Sequence, residues 1–160
     1  MNIESIANYA DVIGGVAVIV SLIYVGIQIR RNTKSSQSQA NQSAHESLAN
    51  ASLEIAIDAD LSSLARKGMV AFEKLTEEEH FRFMMLMMTI FRRFENIFYQ
   101  YEKGFLEEEL WDGYKQSMLL YHYTSGGQMF WDLRSTHYSE LFRNYLDSTS
   151  SDDVKSELET

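Results

Sequence analysis

The sequence predicts an all-α protein: one N-terminal transmembrane helix, able to continue as a stalk, followed by a cytosolic bundle of four to five helices. Three observations predict it. From Val12 to Ile29 the chain reads VIGGVAVIVSLIYVGIQI, eighteen residues without a charge. There is no proline and there are only eight glycines in 160 residues, so few forced breaks interrupt helices. Between Thr76 and Leu146 apolar residues recur at spacings of three and four, with capping residues ahead of the runs.

Composition narrows the function classes. The length suits one compact domain rather than two independent cores. The absence of cysteine excludes a disulfide scaffold, thiolate metal sites and a cysteine nucleophile. A formal charge of −9, from 14 basic and 23 acidic residues, argues against a nucleic-acid partner. An apolar share of 45% with 12% aromatics is too rich for a disordered chain.

The first element is the apolar run. At 1.5 Å per residue it spans about 27 Å, close to the hydrocarbon thickness of a bilayer. Ser21 can return its hydroxyl to the preceding turn, and Gln28 lies at the edge, within reach of the interface. A buried core helix of a soluble protein is the alternative, but such helices are usually shorter and keep a polar stripe. Arg30, Arg31 and Lys34 follow the run while Glu4 and Asp11 precede it. Basic residues stay on the cytoplasmic side, which predicts a single pass with the N-terminus outside and everything after Lys34 inside. The acidic flank before the run, and IRRNTK in place of a small-x-small site after it, predict an uncleaved signal-anchor.

The same helix carries a second pattern. Ala7, Ala10, Gly14, Ala17, Ser21, Tyr24 and Gln28 alternate by three and four, the repeat of a left-handed supercoil. In lipid, helices associate where small residues let backbones approach and a polar group can bond across. Ala10, Gly14, Ala17, Ser21, Tyr24 and Gln28 therefore form an expected self-association seam, with the bilayer and a second copy of the chain as partners. The alternative is that Gly, Ala and Ser are simply common in membrane helices.

The chain then divides as anchor and basic flank (1–34), polar stalk or linker (35–58), helical bundle (59–147) and disordered acidic tail (148–160). Residues 35–58 are rich in Ser, Gln, Asn and Ala, which fits either a flexible tether or a continued helix. Asp60 is the expected N-cap of a short helix that Gly68 stops. Thr76-Glu77-Glu78-Glu79 is a capping box that opens a long helix closing at Gly104. Its two stripes are Met84, Met87, Phe91, Phe94, Phe98 and Tyr101, and Phe83, Leu86, Ile90 and Ile97, so it belongs in the middle of a bundle. Glu107–Glu109 open a further helix that ends at Gly126-Gly127, and a shorter one carries Met129, Phe130, Trp131 and Leu133. Ser139 caps the last, with Leu141, Phe142, Tyr145 and Leu146.

No catalytic set emerges, and no cofactor or metal is implied. Glu77-x-x-His80 has the spacing of a di-iron carboxylate motif, but that chemistry needs two further glutamates pointing into the bundle and a second Glu-x-x-His, and no second copy exists in the chain. His45, His122 and His137 share no spacing, and His122 reads as a hydrogen-bonded histidine at a packing boundary. Ser125-Gly126-Gly127 lacks the strand and lysine of a phosphate loop. Glu95 is expected to pair with Arg92 one turn back or with another helix, since a charge on an apolar helix needs a partner or water. Met84, Met85, Met87 and Met88 are either core filler or an adaptable groove.

Three stretches, GVAVIVSLIYVGIQIRRNT, FENIFYQYEKGFLEEELWDGY and GGQMFWDLRSTHYSELFRNYLD, together resemble a group of small, uncharacterised bacterial proteins with an N-terminal membrane helix and a helical cytosolic domain. The resemblance implies a bacterial inner-membrane location and no catalytic residue. The positions matching the group's Trp, Tyr and Gly, namely Tyr99, Gly104, Trp111, Gly126, Gly127 and Trp131, read as packing and helix-terminus residues. The expected function is that of a membrane-anchored, non-enzymatic protein that self-associates and binds a cytosolic protein partner or small ligand through its bundle. The alternative is a tethered enzyme or cofactor-binding bundle with Glu77, His80 and Glu95 as its ligand set.

Overall fold

The computed structural model describes the backbone of residues 3–154 and the side chains of residues 13–154. Among them there is no strand; six α-helices account for the fold, as the sequence predicts. The chain divides into two compact units between Gln39 and Ala40.

Helix α1 (Ile3–Ile57) supplies the first unit and, with its residues from Ala40 on, part of the second. The polar run expected as tether or stalk is therefore helical. In the first unit every described side chain up to Ser36 is exposed. In the second, Ala44 is buried, and Leu48 and Ile55 pack against the core. Arg93 donates to the Ser47 carbonyl and lies 3.9 Å from Glu54, so residues expected to be stalk take part in the bundle.

Helix α2 (Ala59–Val70) corrects two expectations. Its N-cap is Asp58, whose carboxylate accepts from the Leu61 amide at 2.9 Å, whereas Asp60 lies inside the first turn. Nor does Gly68 stop the helix. A Cβ there would run into the Phe83 ring, and a Cβ on Gly126 would run into the Gly68 carbonyl oxygen. The glycines mark a backbone-to-backbone crossing of two helices, which outweighs the weak helix propensity of glycine.

Helix α3 (Glu77–Glu102) forms as read. The Thr76 hydroxyl accepts from the Glu79 amide at 3.3 Å, and the Glu79 carboxylate accepts from the Thr76 amide at 2.7 Å. Lys67 adds an ion pair to that carboxylate at 2.6 Å. Phe83, Met84, Met87, Ile90, Phe91, Phe94, Ile97 and Phe98 are buried, and Gly104 ends the helix at φ 70°.

Helix α4 (Glu108–His122) ends four residues before the expected break at Gly126, and α5 (Ser125–Arg134) begins one residue before it. Thr124 caps α5 by accepting from the Gly127 amide at 3.0 Å. Gly126 and Gly127 thus sit in the first turn of α5, because neither has room for a Cβ: Gly126 abuts Gly68, and Gly127 abuts the Tyr121 carbonyl. Helix α6 (Glu140–Asp147) is capped by Ser139 as predicted. The segment from Ser148, expected to be disordered, has structure in its described part. A 3₁₀ turn covers Ser151–Asp153, Tyr123 and Thr149 share a hydroxyl hydrogen bond at 2.9 Å, and Val154 packs against the core. The rest of that segment lies outside the described residues.

The core is aromatic. Phe91 stacks on Phe130 at 5.2 Å and lies 5.5 Å from Trp131, whose indole N–H donates to Asp147 at 2.7 Å. Trp111 lies against Tyr101 at 5.0 Å and Phe98 at 5.6 Å.

Candidate functional site

In the first unit, the large apolar side chains from Ile13 to Ile29 are 46–68% exposed. Leaving such a side chain in water forgoes about 1.5–3 kcal/mol each. A helix that is apolar on most faces belongs in a protein core or in a membrane. By length and composition it suffices to cross a membrane. Along the expected seam, Ser21 donates to the Ala17 carbonyl at 2.8 Å, so its hydroxyl is satisfied one turn back. The Gln28 carboxamide donates to the Tyr24 hydroxyl at 2.8 Å, joining two seam residues on one face. A Cβ on Gly14 would meet nothing, so the backbone is open to close approach there. The side chain of Ala10 lies outside the described residues. Arg30, Arg31 and Lys34 are exposed after the apolar run.

In the second unit, an open groove of about 460 Å³ lies between α3 and the start of α6. Arg92, Glu95, Asn96 and Tyr99 form one wall, Ser139 and Leu141 the other, and buried Phe98 is the floor. Glu95 is the pivot. One carboxylate oxygen accepts from Arg92 at 2.6 Å and the other from the Ser139 amide at 2.7 Å. Both expected pairings of Glu95 thus occur together: the carboxylate closes the orphan amide end of α6 while tying it to α3. Arg92 also donates to the His137 carbonyl at 3.1 Å and lies 4.8 Å from the centre of the Tyr138 ring. Tyr138 is buried and donates to the Met88 carbonyl at 3.3 Å. Burial holds its phenol far above the ordinary range, Arg92 opposing and Glu95 adding to the effect.

The three ligand candidates are not assembled. Glu77 is exposed in the first turn of α3. His80 meets the Phe72 carbonyl through Nε2 at 2.9 Å and stacks on the Phe72 ring at 4.6 Å. Glu95 lies fifteen residues further along the same helix, about 22 Å of rise away. Among the described residues no group of three or more His, Asp or Glu side chains could hold a metal ion. As a ligand set, Glu77, His80 and Glu95 are corrected by this separation.

His122 is buried as expected of a packing residue, edge-on to Phe91 and Trp131, but its Nδ1 has no hydrogen-bond partner, contrary to expectation. Desolvation drives its pKa down to about 4, with Asp147 and Asp132 pulling the other way. Met84 and Met87 are core, Met88 is half-buried and Met85 is 38% exposed, so the methionines line no common groove. Tyr99 is corrected from packing residue to groove wall, 55% exposed under the Lys103 ammonium at 5.3 Å. Sequence reasoning missed Asn96, Tyr99 and Leu141 as lining. An aromatic at position 99 on the face of α3 that carries Arg92 was the available signal.

No protein family, curated protein or solved structure matches the chain.

Proposed function

We propose that the protein is a single-pass, membrane-anchored, non-enzymatic helical protein that self-associates through α1 and binds a small ligand or protein partner through its bundle. The observation that carries this reading is the uncharged run from Val12 to Ile29 in α1, whose described large side chains, from Ile13 on, are all exposed. Lipid covers such a helix on all faces at once. Arg30, Arg31 and Lys34 favour the cytoplasmic side, so the residues before Val12 face outward and the bundle faces the cytoplasm. The likeness of three stretches to small bacterial proteins with a membrane helix favours a bacterial inner membrane. The groove on α3 suits ligand binding: its volume falls in the range of about 300–1,000 Å³ of small-molecule sites, and its apolar floor has a few converging polar groups.

Fractionation of untagged protein tests the anchor. Recovery in the membrane pellet, resistant to carbonate and released by detergent, is expected; a protein that stays in the high-speed supernatant without detergent overturns the reading. For self-association, cross-linking in membranes is expected to give a discrete oligomer that Gly14→Leu and Ser21→Leu weaken. Unchanged cross-linking in both variants would remove the seam from the proposal.

A further inference from the structure

Resting on the membrane reading of α1, we infer that the end of its apolar run holds a phospholipid with an anionic headgroup, the acyl chain in a notch at Gly26 and the headgroup on Arg30 and Lys34. Three observations lead there. The first is shape. Gly26 is the only small residue between Ser21 and Arg30, and a Cβ there would meet nothing within 4 Å. Ile23, Ile27 and Arg30 border the resulting open notch of about 270 Å³. Ile23 and Ile27 are 59% and 46% exposed, so its walls are apolar and accessible. The second is charge. The chain carries −9, yet between Asp11 and Glu46 it has three cations, Arg30, Arg31 and Lys34, and no carboxylate. Among the described residues no carboxylate pairs with any of the three, and all are exposed. The third is register. Ile23, Gly26, Ile27, Arg30 and Lys34 follow one another by three and four and so share one face, whereas Arg31 is turned about 100° from Arg30. Ser21 and Gln28 of the seam lie about 140–160° round the helix from Gly26, so pairing through the seam leaves the notch open to lipid. Arg30 stands about 6 Å of rise beyond Gly26, and Lys34 about 6 Å beyond Arg30. A guanidinium grips a phosphate through paired N–H groups. Lys34 then meets the outer part of the headgroup, where it repels a choline cation and tolerates a neutral or acidic group.

The test reconstitutes the full chain in phosphatidylcholine vesicles with a trace of chain-spin-labelled phosphatidylglycerol or phosphatidylcholine. Electron paramagnetic resonance reads the motionally restricted fraction of each label. Phosphatidylglycerol is expected to associate about fivefold more strongly, the preference that one unpaired cation at the membrane surface supplies. Gly26→Leu fills the notch and leaves every charge in place; it is expected to abolish most of that preference, and so is Lys34→Gln. Arg31→Gln, off the face, is expected to keep it. Circular dichroism checks that each variant folds, and flotation checks that it inserts. If the chain floats with the vesicles yet restricts both lipids equally, the inference falls and the membrane reading stands. If the chain does not float, both fall. A preference that survives Gly26→Leu, or that Arg31→Gln lowers as much as Lys34→Gln does, belongs to diffuse charge and overturns the site. Loss of restricted phosphatidylglycerol in sodium phosphate, but not in sodium chloride of equal ionic strength, assigns the cations to free phosphate and overturns it too.

Discussion

Gly113 and Gly126 both lie inside helices, yet for different physical reasons. Around Gly113, exposed on α4, a Cβ would meet nothing within 4 Å, so glycine there only weakens the helix. Gly113→Ala should raise stability by about 0.5–1 kcal/mol, seen as a higher denaturation midpoint. A Cβ on Gly126 would meet the backbone of Gly68, which cannot swing aside as a side chain can. Gly126→Ala should therefore cost about 1–3 kcal/mol through overpacking. A Gly126→Ala protein as stable as wild type would mean that α2 and α5 do not cross there. His122 supplies a prediction in pH. Its pKa is lowered from an ordinary 6.5 to about 4, so the unfolded chain takes up the proton first as pH falls. The stability that neutral His122 contributes is complete above about pH 6.5 and is lost progressively toward pH 4. Denaturation midpoints measured from pH 7.5 to 4.5 should fall, and His122→Phe should flatten the part due to this ring. An equal slope in the variant would assign the loss to other groups.

Helix α3 was legible from sequence because its instructions are local. Thr76 and Glu79 specify the start, Gly104 the end, and stripes at three and four specify the buried face, all within one segment. Removing the cap should be felt: Thr76→Ala should lower stability by about 1 kcal/mol, read in a denaturant titration. Phe91→Ala, which removes a fully buried ring touching α4, α5 and the Tyr138 segment, should cost about 3–5 kcal/mol. If the two variants lost equal stability, the core would not be centred on Phe91. The boundaries of α2, α4 and α5 were less legible for the converse reason. Gly68, Gly126 and Gly127 look like helix stops by local rules, but their role is set by neighbours distant in sequence. In the same way Arg93, whose partners Ser47 and Glu54 lie more than thirty-five residues away, draws a seemingly featureless polar stretch of α1 into the bundle.

At the scale of the whole molecule, the long apolar helix could be read directly, because eighteen uncharged residues form a local signal. The groove could not: it exists only where α6 meets α3, and its wall residues are ordinary surface types in sequence. What the proposed membrane placement demands of the chain is an orientation signal, and that signal is concentrated. Arg30, Arg31 and Lys34 are the only basic residues between the start of the chain and Arg66. Acidic residues count for little in this sorting, so the acidic bundle does not oppose them. Arg30→Asn, Arg31→Asn and Lys34→Asn together should therefore leave the helix inserted but its direction unset. In the wild type, a C-terminal tag should be protected from protease added to intact spheroplasts. In the triple variant a substantial fraction should become cleavable, and adding Asn2→Lys and Asn8→Lys should increase that fraction further. Full protection in both variants would show that the basic flank does not set the direction. Folding of the cytosolic bundle before insertion would then be the competing cause, and slowing its folding with Phe91→Ala in the triple background should expose the tag.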